Sequence, residues 1–409
     1  MPRRPRRRIG LALAGGGPFG AIYETGALLA LQDSIEGLDL NDLDCYVGVS
    51  AGGFLAAALA NGISIRRIHE MFIEEGAEEG ALSPEVLMRP ALDEYLKRLR
   101  SLPPLVVQAA WRYLVRSRAS GVLEAFAPLA RAIPTGLFDN EAIHRYLASV
   151  FEAPGHTNDF RKLRRPLYLV ATDLDEGKSV TFGRPGRDHV PISRAVQASA
   201  ALPGLFPPVE IDGHSFVDGA LRKTLHASEA LEDGAKLVLC VNPIVTYDAK
   251  RAAGGVRHRQ RKLVDGGLPV VLSQTFRAVI QSRLAVGLSK YRTQYRGSDV
   301  VLFQPDAGDS EAFFTNLFGY AARRRVCRHA YERTCHDLVR RSTELEPVLA
   351  RHGLRLRAEI LRGAIRNASP ERPGDSHRIT LGEAAKALRD ALDDLRDCIE
   401  RRPGAAGSG

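Results

Sequence analysis

The chain has few of the features that would mark a secreted, membrane-spanning or disulfide-built protein. Its cysteines, Cys45, Cys240, Cys327, Cys335 and Cys398, are odd in number and share no spacing. They imply no disulfide framework and suit a reducing compartment. No apolar run approaches the roughly 18 residues of a membrane span, so any membrane contact is expected to be peripheral. The apolar Ile9–Ala14 behind the basic Arg3–Arg8 is cut short by Gly15, Gly16 and Gly17, which excludes a secretory leader. Residues 1–8 therefore read as a basic tail on a cytoplasmic protein, at most loosely associated with a membrane. Internal repeats are also missing, and 403–409, Pro-Gly-Ala-Ala-Gly-Ser-Gly, reads as a disordered end.

What is present is the balance of a globular chain: 409 residues, 44% hydrophobic and 26% charged, enough to bury a large core. Lysine and arginine outnumber aspartate and glutamate by 57 to 48, a net charge of +9 that suits an anionic partner. The excess is mostly arginine spread along the chain, and a lipid surface suits it where no nucleic-acid motif is found.

Between residues 9 and 242 short β-like runs alternate with helical ones, the pattern of an α/β fold with a mostly parallel central sheet. The expected strands are Ile9–Ala14, Cys45–Val49, Leu167–Thr172, Ser179–Phe182, Ser215–Val217 and Leu237–Val241. Helices are expected over Ala21–Gln32 and Gly53–Ala60. A helical insertion over 81–136 breaks the alternation, and a mainly helical region over 243–402 follows it. In that region Gly266–Gly267 and Gly297–Ser298 bracket one helix, and Val300–Phe303 offers a further strand.

Three motifs can carry chemistry. Gly15-Gly16-Gly17-Pro18-Phe19-Gly20 lies between a strand and a helix, where amides free of side chains can face a phosphate or the oxyanion of an acyl transfer. It also fits the dinucleotide fingerprint at Gly15, Gly17 and Gly20, but that fingerprint needs an acid after a second strand, and here the second strand runs into a serine. Gly48-Val49-Ser50-Ala51-Gly52 has the strand–turn–helix setting that G-x-S-x-G requires. Ser50 is either an exposed nucleophile or a helix cap. A nucleophile needs a base. The histidines nearest to an acidic motif, His214 and His226, have no recognisable catalytic setting. Asp218, in Phe216-Val217-Asp218-Gly219-Ala220, is either a turn residue or that base.

With these motifs in this order, the chain resembles the patatin-like phospholipase family. Ala171-Thr172-Asp173-Leu174 and the stretch from Ala198 to Pro208 are also similar to that family's connecting segments. The resemblance implies a three-layer α/β/α fold, Ser50 as nucleophile, and Asp218 accepting its proton without a histidine. It implies an oxyanion loop at Gly15, Gly16, Gly17 and Gly20, with Gly48, Gly52, Gly219 and Ala220 shaping the motifs. The implied activity is hydrolysis of fatty acyl esters of lipids or phospholipids, with no metal and no cofactor, and with no oligomeric state implied. A general carboxylesterase on the same scaffold is the alternative. A dinucleotide-binding protein and a non-catalytic membrane-binding module are alternatives of another class. Two departures stand out: Phe19 sits where the family commonly has a cation, and Thr224-Leu225-His226 replaces a common Asn-x-Pro.

Two other patterns carry less. Cys327, His329, Cys335 and His336 fall on opposite sides of a helix, which speaks against a zinc site, and Arg323-Arg324-Arg325 reads as a solvated face. In the insertion, Val107, Ala110, Trp111, Leu114 and Val115 form an apolar stripe, with Arg112 and Arg116 away from it. This basic amphipathic helix either packs on the core or meets an anionic lipid surface together with the N-terminal arginines.

Overall fold

A computed structural model describes residues 8–74, 90–116, 132–246, 248, 263–307, 309 and 320–367. The tail at 1–7, Cys398 and the terminal 403–409 lie outside the described residues.

The first half of the chain runs β1 (Ile9–Leu13), α1 (Gly17–Ser34), β2 (Ile35–Glu36), β3 (Cys45–Val49), α2 (Ala51–Ala60), α3 (Ile65–Ile73), α4 (Leu92–Arg116) and α5 (Glu141–Phe151). There follow β4 (Leu167–Asp173), β5 (Ser179–Phe182), α6 (Ile192–Ser199), β6 (Val209–Ile211), β7 (His214–Asp218), α7 (Ala227–Glu232) and β8 (Leu237–Val241). The last described elements are α8 (Gly267–Gln294), β9 (Asp299–Phe303), α9 (Tyr320–Arg340), α10 (Ser342–Arg351), β10 (Arg355–Leu356) and α11 (Ala358–Asn367).

The main sheet has the order β6-β7-β4-β3-β1-β8-β9, with β5 also paired to β4. Its centre, β4-β3-β1-β8-β9, is parallel throughout, and β5, β6 and β7 add an antiparallel edge. Side chains alternate between the two faces along each strand, as the pleat requires. Leu11, Leu13, Tyr46, Leu169, Leu237 and Leu239 enter one core with residues of α1, α2, α6 and α9. Ala12, Cys45, Val47, Tyr168, Val238 and Cys240 enter the other with α7 and α8. Helices thus cover both faces, which is why the central strands are apolar on both sides rather than alternating.

The described residues over 243–365 belong to the compact unit that holds the sheet. β9 extends the sheet beside β8, α9 packs along α1, and one compact unit reaches Ile365. The strand at Val300–Phe303 is therefore part of the main sheet, drawn in because Val301 and Phe303 bury against the first core.

Register sets the site. Val49, the last residue of β3, pairs with Val170 of β4, and the next β4 residue, Ala171, pairs with Asp218 at the end of β7. A parallel and an antiparallel neighbour therefore meet on consecutive residues of one strand, bringing Ser50 and Asp218 together from positions far apart in sequence.

Candidate active site

Ser50 follows β3 directly and precedes α2, with φ 53° and ψ −126°. Among the described residues only Ser50 and Asp212 hold positive φ without being glycine. Such a conformation costs about 1–3 kcal/mol and persists only where its surroundings fix it. Here they do. A side chain on Gly52 would strike the carbonyl of Ala14, and one on Gly48 would strike Gly53, so the turn closes because both lack a Cβ. The Ser50 amide donates to Ser199 Oγ at 2.8 Å, and that hydroxyl donates to the Val170 carbonyl at 2.6 Å. Ser50 makes no side-chain capping bond to α2, so the cap reading does not describe it.

The glycine turn lies against this serine: a Cβ built on Gly15 would sit 2.8 Å from Ser50 Cβ. Gly16 and Gly17 take φ of 155° and 59°, which orient the loop ahead of α1. Gly20 donates to the Gly16 carbonyl at 2.9 Å, whereas the amides of Gly15, Gly16 and Gly17 donate to no acceptor among the described residues. The turn thus leads into the N-terminus of α1, where a helix presents N–H groups without intrahelical acceptors, with Gly15 against Ser50. Phe19, where a cation is common, packs against Tyr23 with ring centroids 6.0 Å apart.

Asp218 is held from three sides. Its amide donates to the Ala201 carbonyl at 3.0 Å, its carbonyl accepts from Thr172 Oγ1 at 3.1 Å, and its Oδ1 accepts from the Ala220 amide at 2.8 Å. The Ser50 hydroxyl lies near enough to the carboxylate to pull its pKa down. With Asp218 only 3% exposed, burial lifts its pKa to about 6, against the opposing pull of the Ala220 amide and the Ser50 hydroxyl. Gly219 carries no Cβ that could strike the Val170 carbonyl, and Ala220 packs with Val49 and Val170.

The two histidines take no part in this arrangement. His214 shares a 2.9 Å hydrogen bond with Asp173. Asp173 also accepts from the amides of Glu176 and Asp175, both at 2.9 Å, which with His214 hold its pKa below the usual range. Asp173, Glu176 and His214 bring donor atoms within 4.8 Å of one another, but those Asp173 oxygens already brace a turn. His226 is buried beside the aspartate turn; burial pushes its pKa down to about 3, so it is neutral, and its Nε2 has no partner among the described residues. The zinc pattern does not gather: His329 bonds Asp309, and Cys335 lies 3.8 Å from Ser34 Oγ. Arg323 departs from the expected solvated face. It is buried and donates to the Phe72 carbonyl, whereas Arg324 and Arg325 are exposed.

Several contributors carry no motif of their own. Ser199 lies in the quoted Ala198–Pro208 stretch, but nothing in that stretch announces its bond to the Ser50 amide. Ile280 of α8 packs on Val49, Val170 and Ala220. The departure at Thr224-Leu225-His226 is buttressed by the same helix: Thr224 Oγ1 donates to the Ile280 carbonyl, and Tyr291 OH donates to the Leu225 carbonyl. Glu24 of α1 is fully buried with neither carboxyl oxygen partnered among the described residues, and burial raises its pKa well above the ordinary value. Its polar neighbour is the Ala14 backbone at the foot of the glycine turn, which pulls against that rise.

The protein-family model described as patatin-like phospholipase matches residues 11–231. An uncharacterized NTE family protein of Mycobacterium tuberculosis is 38% identical over 77 residues, 19% of this chain and 20% of that relative. The uncharacterized protein YqhO of Bacillus subtilis is 28% identical over 171 residues, 40% of this chain and 47% of that relative. The chain's matches thus span less than half the length of these curated relatives. Among solved structures, VipD of Legionella pneumophila is 16% identical with a TM-score of 0.38, covering 81% of this chain and 66% of that one. The type III effector ExoU is 15% identical with a TM-score of 0.33, covering 98% of this chain and 70% of that one.

Proposed function

The chain belongs to the patatin-like phospholipase family, and from that premise we propose that it is a serine hydrolase of lipid acyl esters working through Ser50 and Asp218. The observation that carries the reading is the convergence, at one end of the sheet, of a strained serine, a buried carboxylate and a glycine turn whose Gly15 lies against that serine. As Ser50 Oγ bonds to the acyl carbon, its proton passes to Asp218. Negative charge forms on the former carbonyl oxygen and is met by the Gly15–Gly17 amides, a stabilisation of several kcal/mol, about 3 for each well-placed donor. Collapse breaks the ester bond, and protonated Asp218 gives its proton to the leaving alcohol. Water then attacks the acyl-serine, passing a proton to Asp218, and release of the fatty acid returns that proton to Ser50.

A carboxylate with a pKa of about 6 is a better base than a solvated one and is still ionised at neutral pH. The site uses no histidine, which is consistent with an ester leaving group that asks little of the acid. The test is treatment with a fluorophosphonate followed by mass spectrometry. Modification of Ser50 is expected, and labelling elsewhere with Ser50 untouched in folded protein overturns the assignment. A general carboxylesterase would label in the same way and is separated from a lipid hydrolase by comparing turnover on long-chain and short-chain esters.

A further inference from the structure

The helix that packs over the candidate site has a second apolar face. α8 turns Leu284, Leu288 and Tyr291 into the core beneath it, and Ile280 onto Val49, Val170 and Ala220. Along another line of the same helix, at intervals of three or four residues, run Leu272, Phe276, Val279, Arg283, Val286 and Lys290. All six are exposed. Exposed apolar residues scattered singly need no account, but a row of four along one helix does. The charge on α8 is of one sign: Arg277, Arg283, Lys290 and Arg292 are present, and aspartate and glutamate are absent from its 28 residues. Arg283 is tied to the aspartate-motif segment, donating to the Leu221 carbonyl, while Lys290 and Arg292 are exposed.

An apolar ridge interleaved with cations and free of acids is complementary to an anionic lipid surface, where apolar side chains enter the headgroup boundary and cations meet phosphate. We infer that α8 docks the protein on anionic membranes through this ridge, setting the Ser50–Asp218 site at the surface that holds its substrate. The inference rests on the lipid-ester reading above and adds the element that delivers it.

The test compares the full chain with a Leu272→Ser/Phe276→Ser/Val279→Ser variant, by co-sedimentation with phosphatidylcholine vesicles with and without phosphatidylglycerol across a salt series. Turnover of a soluble short-chain ester is followed in parallel. Binding to the phosphatidylglycerol vesicles is expected to weaken with salt and to fall about tenfold or more in the variant, with ester turnover held within about twofold. A Phe276→Trp substitution in a Trp111→Phe background leaves one indole, on the ridge, whose emission should shift to the blue on the anionic vesicles. Equal sedimentation of variant and parent, no binding by the parent, or an unshifted emission from that indole overturns the inference. So does light scattering that finds a parent dimer and a variant monomer, since the ridge is then a contact between copies. Failure of the parent to turn over any ester would instead strike the hydrolase reading and leave the sedimentation result to stand by itself.

Discussion

The turn at Ser50 and the helix α8 are close neighbours in the fold and opposite in how they are determined. At the turn, backbone meets backbone. The carbonyl of Ala14 occupies the space that a Gly52 side chain would need, and Gly15 touches Ser50 itself, so hardly any other sequence could close the same path. On α8 one face is fixed by the core and the other by nothing else in the described chain. On the proposed reading, chemistry is held where substitution is least tolerated, and delivery to lipid where it is most tolerated.

Substitution at the tight end should produce the largest effects. Ser50→Ala and Asp218→Asn are each expected to lower ester turnover by about 10³-fold or more, and the double variant should be scarcely worse because the pair acts as a unit. If Asp218→Asn keeps turnover within tenfold while His226→Ala abolishes it, a histidine base replaces the carboxylate. Stability should move the other way for the aspartate. Its folded pKa of about 6 lies above the ordinary 3.8, so the stabilisation it contributes is present below pH 4 and is lost as pH rises through 6. Asp218→Asn should therefore unfold at higher urea than the parent at pH 8, by about 1–3 kcal/mol.

Gly52→Ala tests the close approach. The added methyl meets a backbone carbonyl oxygen just past β1 that cannot swing aside, and a loss of about 2–4 kcal/mol in urea unfolding is expected. A loss under about 0.5 kcal/mol would mean that the turn can relax and that its glycines are not what closes it.

The pH profile comes next in size. Asp218 accepts a proton only when ionised, so turnover on a soluble ester should be level above pH 7 and fall toward tenfold per unit below about 6. A profile that breaks near pH 4 would indicate a carboxylate that is solvated in the working enzyme.

These contrasts also explain which parts of the protein were legible in the sequence. Strands Cys45–Val49 and Leu237–Val241 have the expected limits because both faces of the sheet are covered there and they read as continuous apolar runs, and Ser179–Phe182 has them as an alternating antiparallel strand. Gly266–Gly267 and Gly297–Ser298 did bracket α8, since glycine ends helices for a local reason. The two-residue strands β2 and β10 were not legible: they pair only with each other, and two residues carry no period. Ser50 and Asp218 were legible as motifs, but their meeting was not, because it depends on Val170 and Ala171 taking different neighbours. The bond from Ser199 to the Ser50 amide and the burial of Glu24 were not legible, since no motif announces either.

The smallest expected effect is at Trp111. A tryptophan packed in a core loses about 3–5 kcal/mol when cut to alanine. Trp111 is 68% exposed and Val107, one turn earlier on α4, is 69% exposed, so these two side chains face outward rather than into the sheet. Trp111→Ala should therefore change urea-unfolding stability by no more than about 0.5 kcal/mol. The half-buried Ile280 provides the control: Ile280→Ala removes contacts to Val49, Val170 and Ala220 and should cost about 1–3 kcal/mol. If Trp111→Ala proves as costly as Ile280→Ala, the helix is held by the fold after all, and the rule that separates the two regions fails at α4. If it is silent in stability yet weakens binding to anionic vesicles, α4 joins α8 as a second apolar, basic element shaped by what the protein meets.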